Sequence, residues 1–173
     1  MTEAVGPDDG TALSPRGQAV SALLHEYCLP YAETHTPLDT GALSPVAPDR
    51  AAGLFGEAVR VDTKKVSVFA AGAPGLYLQP RGFGSCRAIV LDPVPEDMEA
   101  VFASLTSGRR VGRVDGEPVR LLSFAPHKRA RHAVDARATV FPHLATITLR
   151  SVPPRVPDLA RQPRPRSAAV SAR

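Results

Sequence analysis

Residues 86–108 read CRAIVLDPVPEDMEAVFASLTSG. Cys86 to Leu91 form a short, mostly apolar run of the length of a buried strand. Pro93-Val94-Pro95-Glu96-Asp97 then opens a helix. Proline suits the first helical position, and acids in the first turn complement the positive end of the helix dipole. Met98, Val101, Phe102 and Leu105 follow at i, i+3, i+4 and i+7, the spacing of one buried stripe, and Gly108 is a stop signal. A buried strand running directly into an amphipathic helix, with more strands on either side, predicts an α+β fold.

Downstream, Arg109 to Val114 and Pro118 to Phe124 flank Asp115-Gly116, a hairpin signal. Residues 125–137 read as a basic loop. Thr139 to Phe141 and Leu144 to Leu149 read as one last strand, interrupted by Pro142 at an edge or a bulge. Upstream, Val66, Val68 and Ala70 alternate with Ser67 and Phe69. Ala71 to Gly75 is a turn, and Leu76 to Leu78 begin a return strand. Arg81-Gly82-Phe83-Gly84-Ser85 is glycine-rich but lacks the lysine and following helix of a phosphate loop, so it reads as a turn.

At the front, Ser14-Pro15 is a helix start, with serine as cap and proline at the first position. Val20, Leu23, Leu24 and Tyr27 continue at helical spacing and Pro30 is expected to stop the run, giving a helix over 15–28. Residues 30–48 read as a proline-rich connector. Asp49 to Glu57 read as one or two helical turns, weakened by Gly53 and Gly56.

The expected architecture is a mainly antiparallel sheet of about six strands with two packed helices, in the order α-βββ-α-βββ. It forms one domain over 14–151, between a disordered acidic segment (1–13) and a disordered Arg/Pro tail (152–173). With no tryptophan and nine Phe and Tyr in 173 residues, the core must rest on Val, Leu, Ile and Ala.

Charge is unevenly placed. Residues 1–58 carry eight acids against Arg16 and Arg50, a net −6, while the remainder carries nineteen Lys and Arg against nine acids, a net +10. Such a split draws an anionic partner to the basic part. The basic residues concentrate in two places. Lys128, Arg129 and Arg131 form a strip with the pattern of a short nuclear-import address. Arg155, Arg161, Arg164 and Arg166 stud the tail as candidate contacts to an anionic partner, including sequence-independent contact with nucleic acid. No aromatic residue alternates with these arginines, so base stacking is not expected.

Catalytic and metal-binding patterns are absent from the sequence. There is no pair of CxxC motifs and no HExxH; His25 and Cys28 lie three apart on the first helix, and the other histidines are scattered, so no metal or cofactor is expected. Cys28 and Cys86 are expected to be reduced thiols in an intracellular protein. No secretory leader and no membrane-spanning run is read. Cys86 or Ser85 with a histidine would make a small hydrolase, and Glu96, Asp97 and Glu99 are acid/base candidates. Their places in a helix's first turns already explain the carboxylates.

The stretches Pro74 to Leu78, Ser85 to Asp92 and Ala145 to Leu149, the last followed by Ser151-Val152-Pro153-Pro154, carry a resemblance. Over residues 60–158 the chain resembles a family of small alphaherpesvirus accessory proteins encoded by the fourth reading frame of the unique long region. The resemblance implies a nuclear protein of the infected cell with no assigned activity and no catalytic residues to carry over. The expected function is therefore that of a non-enzymatic viral accessory or interaction protein in the host nucleus, with a protein partner. A bacterial or phage protein-binding domain of immunity or regulatory type, acting in the cytoplasm, is the alternative, and the Cys/Ser hydrolase a second.

Overall fold

The computed structural model describes residues 12–56, 67–82, 84–107, 110–124 and 133–152. Ser14 caps the first helix, its hydroxyl accepting from the Gly17 amide at 3.2 Å. Helix α1 (Pro15–Leu23) does not end at Pro30. It passes through a π-helical turn, Leu24–Cys28, and continues as α2 (Leu29–Thr34). The wider turn is the physical reason for this correction. A helical proline removes one N–H and collides with the preceding turn. Here Leu29 N–H already reaches back five residues to the Leu24 carbonyl, so the ladder is re-spaced just where Pro30 enters.

Strand β1 (Ser44–Val46) and helix α3 (Pro48–Phe55) occupy the expected connector and its weak turns. Then follow β2 (Val68–Ala70), β3 (Leu76–Pro80), β4 (Ser85–Leu91), α4 (Pro95–Leu105), β5 (Arg110–Val114), β6 (Val119–Phe124), β7 (Ala133–Val140) and β8 (Leu144–Val152). Among the described residues all eight strands form one antiparallel sheet, in the order β1-β2-β3-β4-β8-β7-β6-β5. The α+β class and the antiparallel sheet agree with the sequence; the strand count differs from six for two reasons. The three-residue β1 gives no alternation to detect. What read as one interrupted strand is a hairpin, with Phe141 to His143 turning the chain between β7 and β8, so Pro142 lies in a turn rather than on an edge. Ala133 to Arg137, expected as loop, are the first residues of β7.

Two four-stranded meanders thus meet at the β4–β8 pair. Helix α4 carries the chain from central β4 to the far edge β5, and the meander then returns to the centre. Where the β6–β7 ladder loosens beyond Leu122–Arg137, the Ser123 hydroxyl takes over by accepting from the Ala136 amide at 2.9 Å.

Period-two alternation sorts the sheet's side chains. One face carries Leu78, Cys86, Ala88, Val90, Ala136, Ala138, Ala145, Ile147 and Leu149, all within 1% of complete burial under α1, α2 and α4. The alanines let the helices approach closely, and Val20, Leu24, Met98, Val101 and Phe102 fill the space between. Asp97 of α4, 8% exposed, accepts from both the amide and the hydroxyl of Ser14, locking the start of α1 to that of α4. A Cβ on Gly17 would lie 2.9 Å from the Asp97 carboxyl carbon; glycine is required at this approach. Arg16 clamps the same end by donating to the carbonyls of Pro74 and Leu91.

The expectation of two reduced thiols is corrected. Cys28, on the π-helical turn, and Cys86, on β4, are both fully buried and joined as a disulfide with a Cα–Cα distance of 5.1 Å. The sequence placed one on a helix and the other on a strand without placing the helix over the strand.

The opposite face is divided. Over β2, β3, β4 and the start of β8, α3 covers it: Phe55 meets Tyr77 edge to face with centroids 5.2 Å apart, over Val68, Ile89 and Leu144. Over β7 and the rest of β8 and β4 no described helix lies on it. The acidic segment 1–11 and the tail 153–173 lie outside the described residues.

Candidate functional site: the open arginine face

The uncovered part of the sheet forms an open groove of about 230 Å³ lined by Arg81, Ser85, Arg87, Asp135, Arg137, Thr139, Thr146, Thr148 and Arg150. The alternation that builds the core also builds this surface. In Ala145-Thr146-Ile147-Thr148-Leu149-Arg150, each apolar side chain goes under the helices and each polar one goes to the groove.

Register fixes how the polar residues meet. Ser85, Arg150 and Asp135 form one row across β4, β8 and β7. Two residues along, Gln79, Arg87, Thr148 and Arg137 form the next. Thr146 and Thr139 belong to the row beyond.

These arginines are not equivalent. Arg150 lies 3.6 Å from the Asp135 carboxylate. Half-buried Arg87 donates from Nε to Thr148 Oγ1 at 3.3 Å and has no carboxylate in ion-pair contact among the described residues. Burial, and then the positive charge of Arg81, push its guanidinium down to about 10. It is still charged at neutral pH, so the face holds a partly desolvated cation without a counter-ion among the described residues. That arrangement is costly unless an anion joins it. Arg113 is the contrast. On β5 it holds Glu99 and Asp115 at 2.6 Å each, and the hydrogen bond it donates to Asp115, followed by the one it donates to Glu99, holds its proton more tightly than usual. With four arginines and one aspartate among its described lining residues, the groove has a surplus of three positive charges there.

The residues singled out in the sequence fall into four groups. Lys128, Arg129 and Arg131, with Arg155, Arg161, Arg164 and Arg166, lie outside the described residues. Their points of attachment are nevertheless fixed. Ala133 and Val152 are register partners at the Asp135–Arg150 end of the sheet, so the chain segments carrying both basic clusters join the sheet at that end of the groove. Cys86 has its sulfur bonded to Cys28 and buried, so it offers no thiol. Ser85 lines the groove, but among the described residues no histidine does. His35 instead meets Ser151, with Nε2 2.9 Å from Oγ, tying the end of α2 to β8 beside Gly84. Of the acid/base candidates, Asp97 holds Ser14, Glu99 holds Arg113 and Glu96 is exposed. His25 faces solvent while Cys28 is buried, and no cluster of three metal-ligating side chains occurs among the described residues.

No family model, no curated protein and no solved structure matches this chain.

A second cleft, of about 290 Å³, lies between Tyr27 and Tyr31 of the helix and residues 36–42, with Glu26 and Asp39 at its rim. Desolvation, and then the charges of Glu26 and Asp39, raise the Tyr27 hydroxyl above its ordinary value. Its acidic rim is opposite in sign to the groove. No described helix is long and apolar enough to cross a membrane.

Proposed function

We propose that this chain is a non-enzymatic interaction protein whose open sheet face holds an acidic segment of a partner protein, and that it serves as a viral accessory protein in the host nucleus. The observation that carries the first part is Arg87: half-buried, pinned by Thr148, crowded by Arg81 and without a carboxylate among its described neighbours. Arginine presents a planar fork suited to carboxylates. An acidic protein segment is favoured over nucleic acid because, among the described residues, no aromatic side chain lines the groove for bases to stack on. The nuclear and viral parts rest on the basic strip at 128–131 and on the family resemblance; the buried Cys28–Cys86 bond is evidence against them, because disulfides are rare in reducing compartments.

Two measurements test this. In fluorescence anisotropy at low salt, the double variant Arg87→Gln/Arg137→Gln binds a short Asp/Glu-rich peptide at least about tenfold more weakly than the parent chain, each lost charge-assisted bond being worth roughly 1.5–3 kcal/mol. Equal binding by a normally folded variant contradicts the assignment. For localisation, Lys128→Ala/Arg129→Ala/Arg131→Ala in a bulky fluorescent fusion is expected to abolish nuclear accumulation; accumulation at the parent's level removes the import signal.

A further inference from the structure

We infer that the row Arg87–Thr148–Arg137 is a phosphate site, so that the acidic segment is recognised through a phosphoserine or phosphothreonine; this rests on the reading of the groove as the binding face. The register places Thr148 between the two arginines, one strand away from each. Arg87 spends its Nε–H on the Thr148 hydroxyl. Its two terminal nitrogens remain to form a fork, and the hydroxyl that accepts from Arg87 keeps its own proton to donate. Thr146 and Thr139 bring two more hydroxyls from the adjoining row. Asp135, the acid of the groove, lies in the other row and is engaged with Arg150.

Charge and oxygen count distinguish phosphate from carboxylate here. With Arg150 engaged by Asp135, Arg81, Arg87 and Arg137 remain as the surplus of the face. A carboxylate brings one negative charge and two oxygens in a plane. A phosphomonoester brings roughly −1.5 to −2 and three acceptor oxygens, which suits two guanidinium groups flanking a hydroxyl. The burial of Arg87 and the charge of Arg81 beside it agree with a dianion as its counter-ion.

The test uses the full chain and four fluorescent probes: an aspartate-flanked phosphoserine peptide, the same peptide with serine, the same with glutamate, and oligothymidine. The phosphopeptide is expected to bind about tenfold or more tightly than the glutamate peptide. Arg87→Gln, Arg137→Gln and Thr148→Val each reduce that preference. Arg87→Lys retains the charge but loses the fork, so it also reduces it, while Arg50→Gln, at an exposed position on α3, does not. Equal affinity for phosphoserine and glutamate peptides, with both sensitive to Arg87→Gln, overturns the phosphate site and leaves the acidic-partner reading standing. Failure of every peptide to bind overturns both. Tighter, Arg87-dependent binding of oligothymidine assigns the groove to nucleic acid and likewise overturns both.

Discussion

Reducing the Cys28–Cys86 bond is expected to lower the stability of this fold by about 4 kcal/mol. The bond closes a loop of 58 residues. In the chain-entropy account, a cross-link of that span removes roughly 14 cal/mol/K from the unfolded ensemble, about 4 kcal/mol at 25 °C. The bond also ties the π-helical turn to β4, the strand at the junction of the two meanders. Urea unfolding of the oxidised chain with and without a reductant should therefore give well-separated midpoints, and a Cys28→Ala/Cys86→Ala variant should not respond to the reductant. Coincident curves for the parent chain, with two thiols titrating before any reductant is added, would show that the bond does not form. Most domains are stable by only 5–15 kcal/mol, so the redox state of this pair is a large fraction of the total.

Phe102→Ala is expected to cost about 3–5 kcal/mol. Phe102 is 1% exposed and heads the fully buried side chains by volume. It sits on α4, which packs on both α1 and β7, and the alanines beneath it cannot extend to fill the space it leaves. Phe102→Leu, which keeps most of the apolar volume, should cost less than half as much. Chemical denaturation of the two variants decides this; similar small losses for both would mean that the helices do not close over the sheet at this point.

The parts of the fold legible in the sequence are those set by local chemistry. Ser14-Pro15 starts α1, Pro95 with Glu96 and Asp97 starts α4, and the Met98–Val101–Phe102 stripe is buried as its spacing requires. The β3–β4 and β5–β6 pairs follow from apolar runs separated by glycine-containing turns. What escaped depended on distant contacts. Pro30 reads as a helix stop unless a π-helical turn precedes it, and three-residue β1 is a strand because β2 lies beside it. Cys28 and Cys86 become partners when the helix crosses β4.

The candidate site was half legible. Residues 145–150 alternate strictly between apolar and polar, the pattern of a sheet with one open face, and that signal alone foretells a polar surface of Thr146, Thr148 and Arg150. By contrast, Tyr77, Ile89 and Leu144 are apolar on the α3-covered part of that face. The row itself was hidden, because Arg137 read as loop and Arg87 lay inside an apolar run read as a buried strand. Cross-strand register, which unites Arg87, Thr148 and Arg137, is a property of pairing between distant segments. The basic clusters that dominate the sequence drew notice to two segments that join the sheet at the end of this groove.

The central claim, that the open sheet face is the binding surface, is tested most directly by a ¹H–¹⁵N NMR titration of the full chain with an Asp/Glu-rich peptide. Binding at the groove predicts the largest shifts at Arg87, Arg137, Thr146, Thr148 and Arg150, fading as salt is added. Shifts that leave β4, β7 and β8 unmoved while appearing elsewhere in the chain would contradict it.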